Sequence, residues 1–253
     1  GGMEVYKDKL YFQGYSTTKG NELFAYDGTS ISLVKDINPA PSGKIQGAIN
    51  NSNIDINARA ATGETNRPAN DMHRYRSNPS LSNSINTGIN SSGRDHDSNG
   101  SYPSNFIVYN DKLFFSATDT TIGSELFYYD GTDVTGIDIY TGSTTSGDYT
   151  YLNSSYPNSF TVYKNVLYFG ARDATYGGEL WGYDATNGAR LIKDISPGSY
   201  TSGSSTYKNS SYPYNLTVFD NKLYFSAEDG YNVRGNAGGE LWYYDGNNAG
   251  RAA

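Results

Sequence analysis

Four phased copies of one short pattern constrain this chain more than anything else in it. Glu22-Leu23-Phe24-Ala25-Tyr26-Asp27-Gly28 recurs as Glu125-Leu126-Phe127-Tyr128-Tyr129-Asp130-Gly131, as Glu179-Leu180-Trp181-Gly182-Tyr183-Asp184 and as Glu240-Leu241-Trp242-Tyr243-Tyr244-Asp245-Gly246. A second block precedes each copy: Val5-Tyr6 to Phe12, Val108-Tyr109 to Phe115, Val162-Tyr163 to Phe169, and Val218-Phe219 to Phe225. A third follows, as Leu33-Val34-Lys35-Asp36-Ile37 and Leu191-Ile192-Lys193-Asp194-Ile195, with a weaker Gly136-Ile137-Asp138-Ile139. Self-similarity at this period marks a repeat architecture.

Apolar and aromatic residues alternate within each block, the period of a half-buried strand. In the third unit the expected strands are Phe160 to Tyr163, Val166 to Ala171, Glu179 to Tyr183 and Arg190 to Ile195, with Lys164-Asn165 as a two-residue hairpin turn. One four-stranded sheet cannot bury both of its faces, so the units must stack. Four short strands per unit is the pattern of propeller blades. The expected fold is all-β, a propeller-like array of about four antiparallel four-stranded blades.

The spacing locates an interruption. Glu125 to Glu179 is 54 residues and Glu179 to Glu240 is 61, the longer step reflecting an expanded loop from Tyr231 to Ala237. Glu22 to Glu125 is 103, about two periods. The excess lies in a stretch, 43–94, that holds no Phe or Trp and a single tyrosine, Tyr75. It cannot supply a blade's packing faces and reads as a polar insertion, with a decayed blade as the alternative. The expected division is blade 1 over 1–42, insertion and linker over 43–101, and blades 2, 3 and 4 over 102–155, 156–211 and 212–253. Asn248 to Arg251 lines up approximately with Asn187 to Arg190, so the last blade is expected to stop before its fourth strand.

Composition fits this picture. Of 253 residues, 25 are Tyr and 29 are Gly, a strand-and-turn chemistry with few helix formers. Cysteine is absent, so core packing, repeat stacking or metal must hold the chain. No apolar run approaches the roughly 20 residues that span a bilayer, and no signal peptide is visible. A net charge of −7 disfavours nucleic acid or anionic lipid as the main partner, and an acidic, Asp- and Asn-rich surface suits calcium.

At the Glu-Leu-Trp and Asp-Gly-Thr residues the sequence resembles the ELWxxDGT repeat family. Asp27-Gly28-Thr29 and Asp130-Gly131-Thr132 carry the full ending, while Asp184-Ala185-Thr186 and Asp245-Gly246-Asn247 each depart at one place. Trp181 and Trp242 hold the tryptophan position, taken by Phe24 and Phe127 elsewhere. Leu33 to Pro39 and Leu191 to Gly198 look like the segment that follows in that family. The resemblance implies a propeller-like β fold in large exported bacterial or archaeal proteins, where such arrays serve as surface or adhesion modules. It implies little about activity.

The sharpest local motif is Asp95-His96-Asp97-Ser98-Asn99-Gly100-Ser101, in which oxygens of Asp95, Asp97, Asn99 and Ser101 could converge on calcium around the glycine turn. Phe106 stands where an EF-hand glutamate would close the site, so this is an isolated loop, completed by a carboxylate such as Asp119 or Asp148, or else a solvated Asx-turn. Glu22, Glu125, Glu179 and Glu240 recur in every blade, which argues for capping turn amides or pairing with Lys rather than for catalysis. Asp27, Asp130, Asp184 and Asp245 suit the first position of type I turns. With His73 and His96 as the only histidines and no Cys, a zinc or copper site is not expected, nor is a nucleophile elbow or a phosphate loop present.

Asn-Ser-Ser-Tyr-Pro segments at Asn153 and Asn209, echoed by Asn99-Gly100-Ser101-Tyr102-Pro103, read as blade-to-blade linkers. Asn99, Asn153, Asn209 and Asn215 each begin a glycosylation triplet. The linker tyrosines are expected as wedges between blades, or else as stacking platforms for sugar rings. The functional expectation is a non-catalytic extracellular or cell-surface binding and scaffolding module, an adhesin, matrix or filament component stabilised by calcium. It would contact surface or matrix proteins or copies of itself, with no nucleic acid and no membrane insertion. The alternative is a lectin-like glycan-binding propeller.

Overall fold

A computed structural model describes residues 2–39, 100–147, 149–230 and 239–252. The expected insertion over 43–94 and the Tyr231 to Ala237 loop lie outside the described residues. Every regular element among the described residues is a strand.

Four antiparallel sheets follow one another along the chain, each with its strands in sequence order. The first holds β1 (Met3–Tyr6), β2 (Lys9–Ser16), β3 (Gly20–Tyr26) and β4 (Ile31–Lys35). The second holds β5 (Ser104–Tyr109), β6 (Lys112–Asp119), β7 (Gly123–Tyr129) and β8 (Val134–Ile137). A two-stranded hairpin comes next, β9 (Ser143–Ser146) with β10 (Tyr149–Leu152). The third sheet holds β11 (Asn158–Tyr163), β12 (Val166–Asp173), β13 (Gly177–Asp184) and β14 (Gly188–Lys193), followed by the hairpin β15 (Ser199–Ser202) with β16 (Ser205–Lys208). The fourth holds β17 (Tyr214–Phe219), β18 (Lys222–Ala227), β19 (Glu240–Tyr244) and β20 (Ala249–Arg251). The fourth strand expected to be missing from the last sheet is therefore present, as three residues.

Local chemistry fixes each sheet. The first two strands of every sheet are joined by two residues at positive φ, Lys7-Asp8, Asn110-Asp111, Lys164-Asn165 and Asp220-Asn221. Both central residues at positive φ define the type I′ turn, whose twist matches the flanking strands. The pairing of Trp242 with Arg251 places Arg251 in the position that Leu191 holds against Trp181, one residue off the alignment with Arg190. The cause is the connection after the equivalent tyrosine, which is one residue longer from Tyr183 to its partner Ala189 than from Tyr244 to Ala249, the added residue letting Asp184 pair with Gly188.

The core lies between sheets. Tyr6, Tyr11, Leu23 and Ala25 of the first sheet pack with Leu113, Phe115, Ala117 and Phe127 of the second. Tyr109, Phe114 and Leu126 of the second meet Leu167, Phe169, Ala171 and Trp181 of the third. Tyr163, Tyr168 and Leu180 of the third meet Leu223, Phe225, Ala227 and Trp242 of the fourth. First strands lie against first strands, β1 beside β5, β5 beside β11 and β11 beside β17. The second and third sheets thus hide apolar residues of both faces against their neighbours in the chain, and the first and fourth each hide one face.

The first and second sheets keep this phase. Asn38 Nδ2 donates to the carbonyl of Gly100 at 3.3 Å, so the chain leaves the first sheet and re-enters the second at one place. The β9–β10 and β15–β16 hairpins leave and return at the corresponding place, closed by Asn153 N to Gly142 O at 3.0 Å and Asn209 N to Gly198 O at 3.2 Å.

Candidate functional site

Three of the four repeated glutamates are buried, and they are used to join sheets. Glu22, Glu125 and Glu179 are wholly inaccessible. Glu179 accepts the backbone N–H of Ile195 at 2.7 Å, the backbone N–H of Ser211 at 3.1 Å and the hydroxyl of Ser211 at 2.6 Å. Glu22 does the same with Ile37 N at 2.9 Å, Ser101 N at 3.1 Å and Ser101 Oγ at 2.6 Å. Glu125 takes Ile139 N at 3.0 Å, Ser155 N at 2.8 Å and the Ser155 hydroxyl. The serine carbonyls continue outward, accepting from the backbone N–H of Thr118 and Arg172 on the second strand of the next sheet and of Glu228 just past that strand. One carboxylate therefore clamps the end of its own sheet, the linker and the entry to the following sheet.

The register tolerates sequence drift around this clamp. The step from glutamate to the bonded isoleucine is 15, 14 and 16 residues in the first three sheets. The second sheet lacks the bulge that the first and third carry between their third and fourth strands, and the third has one more residue between Tyr183 and its partner Ala189 than the first has between Tyr26 and Ile31. The same amide still reaches the carboxylate.

Glycine makes room for the linker. A Cβ on Gly177 would sit 2.1 Å from the carbonyl of Asn209, and one on Gly123 would sit 2.4 Å from that of Asn153. Both glycines are at positive φ, 77° and 84°.

Burial pushes the carboxyls of Glu125 and Glu179 up to about 7, against the opposing pull of the serine hydroxyl and the backbone amides. Burial raises Glu22 in the same direction. Glu240 differs: its side chain is one-third exposed, one oxygen lies 3.5 Å from Arg251, and Oε2 is buried without a partner among the described residues.

The four turn aspartates accept amides two and three residues on, as type I turns ask: Asp27 from Thr29 and Ser30, Asp130 from Thr132 and Asp133, Asp184 from Thr186 and Asn187, Asp245 from Asn247 and Asn248. Asp184 is held down to about 2, first by the Asn187 side chain and amide and also by Arg190.

The linker tyrosines do not wedge between sheets. Tyr102, Tyr156 and Tyr212 are 42%, 55% and 63% exposed. Each is in the left-handed region, at φ 50°, 48° and 44°, a conformation that turns the ring outward while the preceding serine and following proline are buried. Bulky residues rarely adopt it, at a cost of about 1–3 kcal/mol. The Arg172 guanidinium lies 4.7 Å from the Tyr156 ring and 5.9 Å from that of Tyr140. Tyr200 and Tyr207 stack across the exposed β15–β16 hairpin at 5.5 Å.

Of the candidate calcium ligands, Asp95, Asp97 and Asn99 lie outside the described residues, as do His73, His96 and Asp148. Ser101 is fully buried and its hydroxyl donates to Glu22. Asp119 caps its own turn, accepting from Thr121 and Ile122. Among the described residues no group of three or more His, Cys, Asp or Glu is placed to hold a metal. Of the glycosylation triplets, Asn99 lies outside the described residues, Asn153 Nδ2 donates to Thr141 O at 2.9 Å, Asn209 Nδ2 donates to Pro197 O at 2.8 Å, and Asn215 is exposed on a bulge in β17.

No protein-family model matches the chain, and no curated protein matches it.

Sequence reasoning missed the serines. Ser101, Ser155 and Ser211 stood in view within the repeated Ser-Tyr-Pro, and their recurrence in phase with the glutamates was the available signal.

Proposed function

We propose that this chain is a non-catalytic scaffolding and binding module, a propeller-like array that works outside the cell or on its surface. It would contact surface or matrix proteins, or copies of itself. The observation that carries the reading is the fate of Glu22, Glu125 and Glu179: the residues most suggestive of acid chemistry are buried and committed to backbone amides and a serine. An active site needs one accessible constellation, and these carboxylates recur as equivalent joints. The resemblance to ELWxxDGT repeats supports the exported setting and the propeller arrangement. Incubation with chromogenic glycoside, ester, phosphate and peptide substrates is expected to give no turnover above buffer. Turnover abolished by substituting one residue would overturn the reading.

A lectin-like role is the second reading, favoured by the outward placement of Tyr102, Tyr156 and Tyr212 at equivalent positions. Exposed aromatic faces with a wet hydroxyl suit sugar rings. A glycan array separates the two: several equivalent weak sites per chain, lost on Tyr→Ala at these positions, favour the lectin, and silence favours the scaffold. A calcium contribution from the 95–101 loop belongs to the same proposal. A ligand bound only to the folded state raises the melting midpoint, so a midpoint unmoved by calcium or chelator removes it.

A further inference from the structure

We propose that copies of this chain associate head to tail, the outward face of the fourth sheet receiving the outward face of the first sheet of a second copy. The proposal rests on the stacked-array reading and names its occupant by the rule seen inside the chain. At each of the internal junctions the second strand of the incoming sheet presents Leu, Phe and Ala: Leu113, Phe115 and Ala117, then Leu167, Phe169 and Ala171, then Leu223, Phe225 and Ala227. They pack on a face built around a leucine of the preceding sheet, Leu23, Leu126 or Leu180, all with no exposure.

The fourth sheet carries the same receiving face. Leu241 pairs with Ser226 as Leu180 pairs with Gly170, yet it is 53% exposed. Phe219 ends β17 where Tyr163 ends β11, and it is 69% exposed against 4%. The matching incoming face is on the first sheet, where Leu10, Phe12 and Gly14 stand in the register of Leu113, Phe115 and Ala117. Met3 and Ile31 flank it at 67% and 63% exposure, whereas Phe106 and Val134, their counterparts, pack into the first junction. Among the described residues, these exposures also show that the two faces do not cover one another.

Contiguous exposed apolar faces of this kind mark association surfaces. Because the two differ, the contact is heterologous, and it either closes a ring or runs on. The tyrosine hydroxyls that donate to the next turn inside the chain, Tyr6 to Asp111 O, Tyr109 to Asn165 O and Tyr163 to Asn221 O, have no equivalent at Phe219. The contact between copies is therefore weaker than an internal junction and reversible.

Sedimentation velocity on the full chain across a concentration series tests this. Wild type is expected to shift with concentration from 27.6 kDa to multiples of that mass. Phe219→Asp and Ile31→Asp should each be monomeric alone, and an equimolar mixture of the two should regain a two-chain complex through the one intact pair of faces. A wild type that stays monomeric, a variant that still self-associates alone, or a mixture that stays monomeric overturns the proposal. Leu180→Ala reports on the array separately: its melting midpoint falls sharply where the third and fourth sheets pack, whether or not copies associate.

Discussion

Ser211 Oγ donates to Oε2 of Glu179 at 2.6 Å, across the passage from the third sheet to the fourth. The same pair recurs as Ser101 with Glu22 and Ser155 with Glu125. A buried carboxylate is tolerated when its oxygens are saturated by donors. Here the donors belong to two different stretches of chain, so satisfying the charge also fixes where the next sheet begins.

Stability should fall as pH rises. Glu125 and Glu179 are pushed from the ordinary 4.5 up to about 7 by burial, so the folded protein holds protons that the unfolded chain has released. Their contribution is fully present below 4.5 and is lost as pH passes through about 7. The melting midpoint is expected to be higher at pH 5.5 than at pH 8. Glu125→Gln with Glu179→Gln should flatten that dependence and lower the midpoint, since an amide NH2 then faces a donor. A midpoint that rises from pH 5.5 to pH 8 contradicts this account.

Gly177→Ala should be among the most damaging small changes. Its Cβ would meet the Asn209 carbonyl at 2.1 Å, and φ is 77°. The expected loss is about 2 kcal/mol or more, by urea unfolding. Gly188→Ala, also at positive φ but with nothing near its Cβ, should lose less. Equal losses would show that space at the linker does not matter.

Asp111→Gly should stabilise. Asp111 sits at φ 54°, and its backbone carbonyl, which accepts from Tyr6, survives the change. The exposed ion pair with Lys7 contributes little. Asn-Gly is the preferred type I′ pair, so the gain is expected to be about 0.5 kcal/mol, read as a small rise in the melting midpoint. A fall would mean that the ion pair outweighs the turn.

The four sheets, their strand order and their hairpin turns were legible because alternation and turn chemistry are local. Lys164-Asn165 and the turn aspartates needed no tertiary information. The linkers were not legible in the same way. Ranking by hydrophobicity puts Tyr156 inside and Ser155 outside, and the chain does the reverse. The serine is drawn in by the buried Glu125, and the left-handed backbone at Tyr156 turns the ring out. The hairpins β9–β10 and β15–β16 escaped notice because β9, β15 and β16 are exposed on both faces and show no apolar alternation. The final strand was obscured by one extra residue between Tyr183 and Ala189 in the third sheet, which shifts the alignment of Arg251.

The central claim is that the repeated glutamates join sheets through the linker serines. A double-mutant cycle on Glu179→Ala and Ser211→Ala, by urea unfolding at pH 6, tests it most directly. Glu179→Ala alone should lose about 3 kcal/mol or more, because two buried backbone amides and a hydroxyl are stranded. The coupling between the two substitutions is expected to be about 1 kcal/mol or larger, and additivity within about 0.3 kcal/mol would contradict the account.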